Sequence, residues 1–208
     1  MPVELALLPF IESQFDPYAQ SATGASGIWQ FILSTAREQK LKKNWWYDGR
    51  RDIVASTDAA YDYLIKLHSK YDDWLLAIAG YNAGPNRISK EIKKNKNKGL
   101  PIDFWSLNLP KETKAYVPKL LALIEVIKNP EKFSVVIPNL PNRPYFQLVT
   151  LPSQVDLMQV ANISGLKLEV IYELNPGFNQ WATDPNGPFH ILLPVGIADR
   201  FQAVSYTH

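Results

Sequence analysis

The sequence predicts a mainly α-helical protein that ends in a small β-α-α-β unit. Apolar residues recur at helical spacing over residues 55–71. Gly84 and Pro85 predict that one helix ends and the next begins at this point, because glycine is favoured at the end of a helix and proline in its first turn. Four prolines within residues 129–144 mark a change of composition that is typical of an extended linker.

Length and composition exclude several classes of function. The 208 residues suit one domain, or one domain with a small appendage. Apolar residues make up 46% and charged residues 20%, as in ordinary globular proteins. The formal net charge of +2 lacks the basic excess of a general nucleic-acid binder, so we expect no nucleic-acid partner. The chain has no cysteine, which excludes disulfides, a cysteine nucleophile and thiolate metal sites.

The first helices are predicted from local signals. Residues 3–14 are apolar nearly all round and predict a buried helix, in which Pro9 produces a kink or shifts the start. Small residues over 21–27 predict a tight loop. We expect a short buried helix over residues 28–31. Residues 35–38, Thr-Ala-Arg-Glu, have the spacing of a capping box and predict that another helix begins there.

The rest of the chain divides into a helical part, a linker and a C-terminal unit. Residues 74–81 and 111–128 predict two further helices. The C-terminal unit is predicted as two strands around two helices, over residues 146–149, 156–163, 168–174 and 190–194. We therefore expect a helical domain over residues 1–128, a proline-rich linker over 129–144 and a β-α-α-β unit over 145–208.

Glu12 is the candidate acid of the first helix. It closes a run of apolar residues, and desolvation by such neighbours disfavours the carboxylate and raises its pKa. A carboxylic acid that is still protonated near neutral pH can donate a proton to a glycosidic oxygen. The alternative is a glutamate that points into solvent at a helix end, and position alone favours that alternative.

Other ionisable residues are predicted to be structural. Pro17 follows Asp16 and disfavours helix there, so Asp16 is expected in a turn or a cap. Asp48 and Asp52 flank two arginines at 50–51 and predict an ion-pair cluster. We expect no metal site, because the histidines have no ligand spacing: His68, His190 and His208.

An ordered series of short motifs changes the interpretation of Glu12. The series is Glu12-Ser13, Ser21, Gly24-Ala25-Ser26-Gly27-Ile28-Trp29-Gln30, Gly80-Tyr81-Asn82-Ala83-Gly84, and Glu112-Thr113 with Tyr116-Val117. It resembles the lytic transglycosylases with the goose-type lysozyme fold, and the resemblance covers roughly residues 2–195. It implies a lysozyme-like catalytic domain, with Glu12 as the single catalytic acid and base.

The resemblance also implies which residues bind substrate. Ser21 and Gln30 would line the cleft around the reacting N-acetyl sugar, and Tyr81 and Asn82 would form the cleft wall beside Glu12. The remaining pair, Glu112 and Tyr116, would support the cleft from the last long helix. One departure is Leu33, which stands where many relatives have proline.

The implied reaction is cleavage of peptidoglycan glycan strands without water. Glu12 would break the MurNAc-β-1,4-GlcNAc bond with assistance from the substrate N-acetyl group, leaving 1,6-anhydroMurNAc ends. Such chemistry needs no metal and no cofactor. A hydrolytic muramidase and a non-catalytic peptidoglycan-binding protein are the alternatives.

The C-terminal unit resembles a degenerate lysin motif (LysM), a small wall-sugar-binding module. The likeness includes Leu174-Asn175-Pro176 and the closing strand, whereas Pro152-Ser153-Gln154 replaces the usual turn and a loop over 177–189 interrupts the unit. We therefore expect this unit to pack against the helical domain rather than to bind glycan.

The substrate implies a periplasmic location, and the resemblance implies attachment to the outer membrane through a lipoprotein anchor. Residues 1–4 do not open a signal peptide and no apolar run is long enough to span a bilayer, so we expect any such anchor to lie outside this chain. We expect the protein to be a monomer.

Overall fold

Helices form most of the regular structure in the computed structural model, which describes the backbone of residues 1–205 and the side chains through Gln202; His208 lies outside the described residues. The α-helices are α1 (Leu8–Ser13), α2 (Leu33–Glu38), α3 (Ile53–Tyr71), α4 (Trp74–Ala83), α5 (Pro85–Lys96), α6 (Lys111–Lys128), α7 (Leu157–Ser164), α8 (Leu168–Leu174) and α9 (Val195–Ser205). Short 3₁₀ helices cover Val3–Leu7, Phe104–Ser106 and Pro130–Phe133, and the strands are β1 (Phe146–Thr150) and β2 (His190–Pro194). The prediction of a mainly α-helical protein with a small β-α-α-β unit is confirmed.

Most helix boundaries follow the local signals in the sequence. Pro9 lies in the first turn of α1, after a 3₁₀ turn, so the proline shifts the start of the helix. Helix α4 ends at Gly84, whose φ of 85° suits glycine, and Pro85 opens α5. Pro118 lies within α6, which continues to Lys128.

Two local predictions are wrong. Residues 28–31 form turns rather than a helix. Ser26 pairs with Phe31 in an isolated β-bridge, and the Arg50 guanidinium donates a hydrogen bond to the Phe31 carbonyl. Helix α2 begins at Leu33, so Thr35 lies inside the helix and is not its N-cap. Helix α9 was not expected from the sequence.

Contacts divide the chain into two compact units. The first comprises Met1–Phe15 and Asp58–Pro138, and the second comprises Asp16–Thr57 together with the chain from Asn139 onward. The second unit therefore combines segments that precede and follow the predicted linker over residues 129–144. The predicted domain boundaries at residues 128 and 145 stay a prediction.

The first unit is built around α4, which packs against α5 and α6. Asp73 caps α4 by accepting a hydrogen bond from the backbone N–H of Leu76 at 3.0 Å. Residues 76–80 are buried, as expected for a helix that is apolar on every side. A Cβ atom at Gly80 would lie 3.2 Å from the Tyr71 ring, so the absence of a side chain allows a close approach. The end of α4 therefore has a well-determined position in this unit.

The second unit has its own hydrophobic core. Strands β1 and β2 pair antiparallel, with Phe146 opposite Pro194 and Thr150 opposite His190. Tyr47, from the early part of the chain, is buried in this core. Its other members include Val149, Leu157, Val160, Ile171, Phe178, Ile191, Leu193, Ala198 and Phe201. The C-terminal elements therefore share a core with the segment around Tyr47.

We predict that Tyr47→Ala strongly destabilises the protein, whereas Tyr145→Ala does not. Tyr47 is 2% exposed and Tyr145 is 71% exposed, and both belong to the second unit. Loss of a buried aromatic ring costs about 3–5 kcal/mol, whereas an exposed substitution changes stability by about 0.5 kcal/mol or less. Urea denaturation of both variants measures the difference, and equal effects would contradict the shared core.

Candidate active site

Glu12 lies in the last turn of α1, next to the end of the helix. The helix stops because Gln14 adopts a left-handed φ of 54°, and its backbone N–H returns to the Phe10 carbonyl at 3.1 Å. The neighbouring Ser13 hydroxyl bonds back to the Pro9 carbonyl. Glu12 therefore sits on a short helix whose end is held by its own backbone.

Tyr116 of α6 contacts Glu12 directly. The Tyr116 O–H donates a hydrogen bond to Glu12 Oε1 at 2.5 Å. Tyr116 lies on the buried face of α6, together with Thr113, Val117 and Leu120 at helical spacing. Packing of α1 against α6 brings the two side chains together.

Burial and the hydrogen bond act on Glu12 in opposite directions. Removal of water from the carboxyl group has the largest effect and raises the pKa of Glu12, which with all effects included is about 7. The Tyr116 hydrogen bond lowers this pKa, and the charge of Glu112 raises it. At neutral pH the group is therefore close to half-protonated, so it can both donate and accept a proton.

Tyr81 and Asn82 lie at the C-terminal end of α4. The Tyr81 ring packs against Tyr63 with ring centroids 5.6 Å apart. Burial, and next the charge of Glu12, raise the pKa of Tyr81 well above its ordinary value, and the same two causes act on Tyr116. Both phenols therefore remain neutral hydrogen-bond donors near Glu12.

Hydrogen bonds from α6 hold the amide of Asn82. The Thr113 hydroxyl donates to Asn82 Oδ1 at 2.8 Å, and Asn82 Nδ2 donates to Glu112 Oε1 at 3.4 Å. The first unit thus brings together five of the predicted site residues: Glu12, Tyr81, Asn82, Glu112 and Tyr116. Thr113, which is 1% exposed, was not predicted as a site residue. Its signal was the spacing from Tyr116, three positions along the same helix face.

Ser21 and Gln30 belong to the second unit, where each bonds within its own loop. Ser21 Oγ accepts the Ala25 N–H at 3.0 Å, and Gln30 Nε2 donates to the Gly27 carbonyl at 2.7 Å. A side chain at Gly27 is impossible, since its Cβ would lie 1.9 Å from the Arg50 carbonyl oxygen. The structure therefore gives both residues a role in loop geometry, and their contact with substrate stays a prediction.

The remaining acidic residues have structural partners. Asp16 Oδ1 accepts the Tyr18 N–H at 2.8 Å, as predicted for a turn. Asp48 and Arg50 form a buried ion pair at 2.7 Å, whereas Asp52 accepts from Tyr47 and contacts His190. Within residues 1–205, no three His, Asp or Glu side chains are grouped so that they could hold a metal ion. No helix in that range is long and apolar enough to span a membrane.

Known proteins match this chain at both ends. Residues 1–102 match the family described as Transglycosylase SLT domain, and residues 145–207 match the one described as Lytic transglycosylase MltD, LysM-like domain. Over 203 residues, the chain is 43% identical to the membrane-bound lytic murein transglycosylase D of Escherichia coli (strain K12). Residues 1–102 belong to the transglycosylase SLT domain family. The predicted resemblance and the LysM-like nature of the C-terminal unit are thereby confirmed.

Other proteins share parts of the SLT-family chain. A protein of Alteromonas sp. (strain M-1), whose name refers to tributyltin chloride resistance, is 38% identical over 68% of this chain and 68% of its own. The membrane-bound lytic murein transglycosylase F of Desulfosudis oleivorans is 32% identical over 49% of this chain and 22% of its own. The match to the Escherichia coli protein covers 97% of this chain and 45% of that relative, so the chain spans about half the length of that relative.

We predict that Glu12→Gln makes the SLT-family protein more stable than wild type above neutral pH, but not in acid. The raised pKa means that the folded state holds a proton that the unfolded chain releases above about pH 4.5. Wild type therefore loses stability as pH rises from about 4.5 to about 7, by up to about 1.4 kcal/mol per pH unit, and glutamine does not titrate. Denaturation of both proteins from pH 4 to pH 8 measures this effect. A stability difference that does not change with pH would contradict a raised pKa.

Proposed function

We propose that this SLT-family protein is a peptidoglycan lytic transglycosylase. It would cleave the MurNAc-β-1,4-GlcNAc bond without water and leave 1,6-anhydroMurNAc ends. The observation that carries the proposal is the Glu12 carboxyl group, with a pKa of about 7 and a hydrogen bond from Tyr116 at 2.5 Å. The name of the Escherichia coli relative, a lytic murein transglycosylase, supports the choice of polymer.

The first step is protonation of the leaving oxygen by Glu12. Because Tyr116 donates to Oε1, the acidic proton is best carried by Oε2. Transfer of that proton to the glycosidic oxygen breaks its bond to the MurNAc C1 atom. The carbonyl oxygen of the substrate N-acetyl group bonds to C1 and stabilises the cationic carbon as an oxazolinium ion. Glu12 is left as a carboxylate that still accepts the Tyr116 hydrogen bond.

The second step closes the anhydro ring. The Glu12 carboxylate takes the proton from the C6 hydroxyl of the same sugar, and that oxygen bonds to C1 while the acetamido oxygen leaves. The acid is regenerated and no water is consumed. Because the nucleophile belongs to the substrate, its effective concentration exceeds that of water.

The other predicted residues would bind and orient the sugars. Tyr81 remains a neutral phenol beside Glu12, and Asn82 has its amide held by Thr113 and Glu112. Groups that are held in this way suit hydrogen bonds to an acetamido group or to sugar hydroxyls. We keep Ser21 and Gln30 as proposed substrate-binding residues on the family resemblance alone.

A hydrolytic muramidase is the second candidate, and Glu112 favours it. Its charge acts on Glu12, and two carboxylates on either side of the bond are the usual arrangement in glycosidases that use water. Against this, Glu112 already accepts a hydrogen bond from Asn82, which suits a supporting role. A non-catalytic peptidoglycan-binding protein is the third candidate, and a pKa near 7 at Glu12 argues against it.

A periplasmic location follows from the proposed substrate, which is a cell-wall polymer. We keep as proposals a lipoprotein anchor outside this chain and a monomeric state.

We predict that wild type releases anhydro-muropeptides from purified sacculi and that Glu12→Gln does not. Glutamine has nearly the shape of glutamate but can neither donate nor take the proton, so turnover falls by about 10²–10⁴-fold or more. Mass spectrometry of the released muropeptides measures both the rate and the chemical nature of the ends.

Two further variants give this experiment its controls. Glu125→Gln changes an exposed glutamate of α6 and is expected to keep wild-type turnover. Glu112→Gln is expected to keep anhydro products, whereas a muramidase would give reducing ends and depend on Glu112. Efficient cleavage of N-deacetylated strands would contradict the participation of the acetamido group.

We predict that Tyr116→Phe moves the alkaline limb of the kcat/KM profile to higher pH. The lost hydrogen bond had lowered the pKa of Glu12, so the protonated acid persists to higher pH in the variant. The carboxylate formed after the first step loses its donor, which costs about ten- to a hundredfold in rate at the optimum. Tyr145→Phe, at an exposed position, is the matched control. An unchanged profile would show that the hydrogen bond does not tune the acid.

A further inference from the structure

Three tryptophans form a cluster in the second unit: Trp45, Trp46 and Trp181, called here the tryptophan cluster. Their rings meet edge to face, with centroids 4.8 Å apart for Trp45 and Trp46, 5.5 Å for Trp46 and Trp181, and 6.0 Å for Trp45 and Trp181. Trp46 packs against the buried core, whereas Trp45 and Trp181 are 59% and 58% exposed. Two large indole rings therefore remain in water side by side.

Hydrogen bonds to the backbone hold the tryptophan cluster in place. The Trp46 carbonyl accepts the Asn179 N–H at 2.8 Å, and the Trp45 carbonyl accepts Gln180 Nε2 at 3.1 Å. The Trp181 carbonyl accepts the Leu157 N–H at the start of α7 at 2.8 Å. The backbone that carries the rings is thus ordered by the protein itself, which lowers the entropy cost of binding a ligand.

Polar and cationic groups lie beside the rings. An open groove of about 270 Å³ is lined by Leu33, Ala36, Arg37, Leu41, Lys43 and Asn44. Asn44, which lines the groove, directly precedes Trp45 in the chain. Arg37 and Lys43 are exposed cations.

We propose that the tryptophan cluster binds the glycan strand of peptidoglycan, at a site whose residues are not those of the cleavage reaction. The apolar C–H faces of pyranose rings stack on indoles, and the side-chain carbonyl oxygen of Gln180 is an acceptor for hydroxyl and acetamido N–H groups. The muramyl units carry peptides with carboxylates, which complement Arg37 and Lys43. The choice of polymer rests on the proposed function. The LysM-like unit, to which Trp181 belongs, therefore takes part in binding glycan as well as in packing.

The experiment uses the full chain with Glu12→Gln, so that the strands are not cut during measurement. Binding to purified sacculi is measured by sedimentation, and binding to soluble N-acetylglucosamine oligomers by calorimetry. The double variant Trp45→Ala with Trp181→Ala is expected to bind both about ten- to a hundredfold more weakly, since two ring contacts are lost. Tyr145→Ala removes an exposed ring elsewhere in the same unit and is expected to leave binding unchanged.

Further variants separate binding from folding. Thermal unfolding of the double variant is expected to match the parent, because both rings are mostly in water. If its stability falls, Trp45→Ser alone is measured: weaker binding at unchanged stability supports the proposal, and unchanged binding overturns it. Wild-type affinity in a stable double variant overturns it as well. So does a dimer, seen by ultracentrifugation, that the double variant abolishes.

Activity is recorded separately in the background with Glu12 intact. In that background the tryptophan variants are expected to release anhydro products from sacculi more slowly than wild type, but to cleave short soluble fragments at the wild-type rate. If wild type releases no anhydro products, the proposed function fails. The binding measurements with the Glu12→Gln proteins still decide the role of the tryptophan cluster.

Discussion

The hydrogen bond between Tyr116 and Glu12 joins residues that are 104 positions apart, and the chemistry of the candidate site depends on it. Burial favours the neutral acid, and the Tyr116 hydrogen bond opposes it by favouring the carboxylate. The phenol stabilises that carboxylate without adding charge, since its own pKa is raised well above the ordinary value. The balance leaves the carboxyl group with a pKa of about 7.

Packing in the first unit fixes the positions of the side chains around Glu12. Residues 76–80 of helix α4 are buried and closely packed. Tyr81 and Asn82 come directly after this segment, so their backbone has little freedom to move. Thr113 then binds the Asn82 amide from the same face of α6 that carries Tyr116. One helix thus positions both the proposed acid and a proposed substrate-binding amide. Such support from packed neighbours is what a preorganised site requires.

The second unit meets a different physical constraint, that of size. A β-α-α-β unit of about fifty residues lies near the lower limit for independent folding. Tyr47 adds a large aromatic ring to its core, and Asp52 contacts His190 of β2 at 3.0 Å. The loop over residues 21–31 is tied to the same segment through Arg50, which binds the Gly24 and Phe31 carbonyls. The long loop over residues 177–189, which interrupts the LysM likeness, supplies the contacts to residues 44–48 and the exposed Trp181.

The sequence by itself determined the helices of the first unit, the β-α-α-β unit and the identity of Glu12 as the acid to consider. These follow from short-range signals, namely helical spacing, Gly84 with Pro85 at a helix junction, and a series of family motifs in order. Only the tertiary structure decided the turns at residues 28–31, the placement of Tyr47 in the C-terminal core and the pairing of Thr113 with Asn82. It also decided that Glu12 is half-buried and bonded to Tyr116 rather than turned into solvent. The physical reason is that desolvation and hydrogen bonding depend on contacts between residues that are far apart in the chain. A local sequence pattern does not specify those contacts.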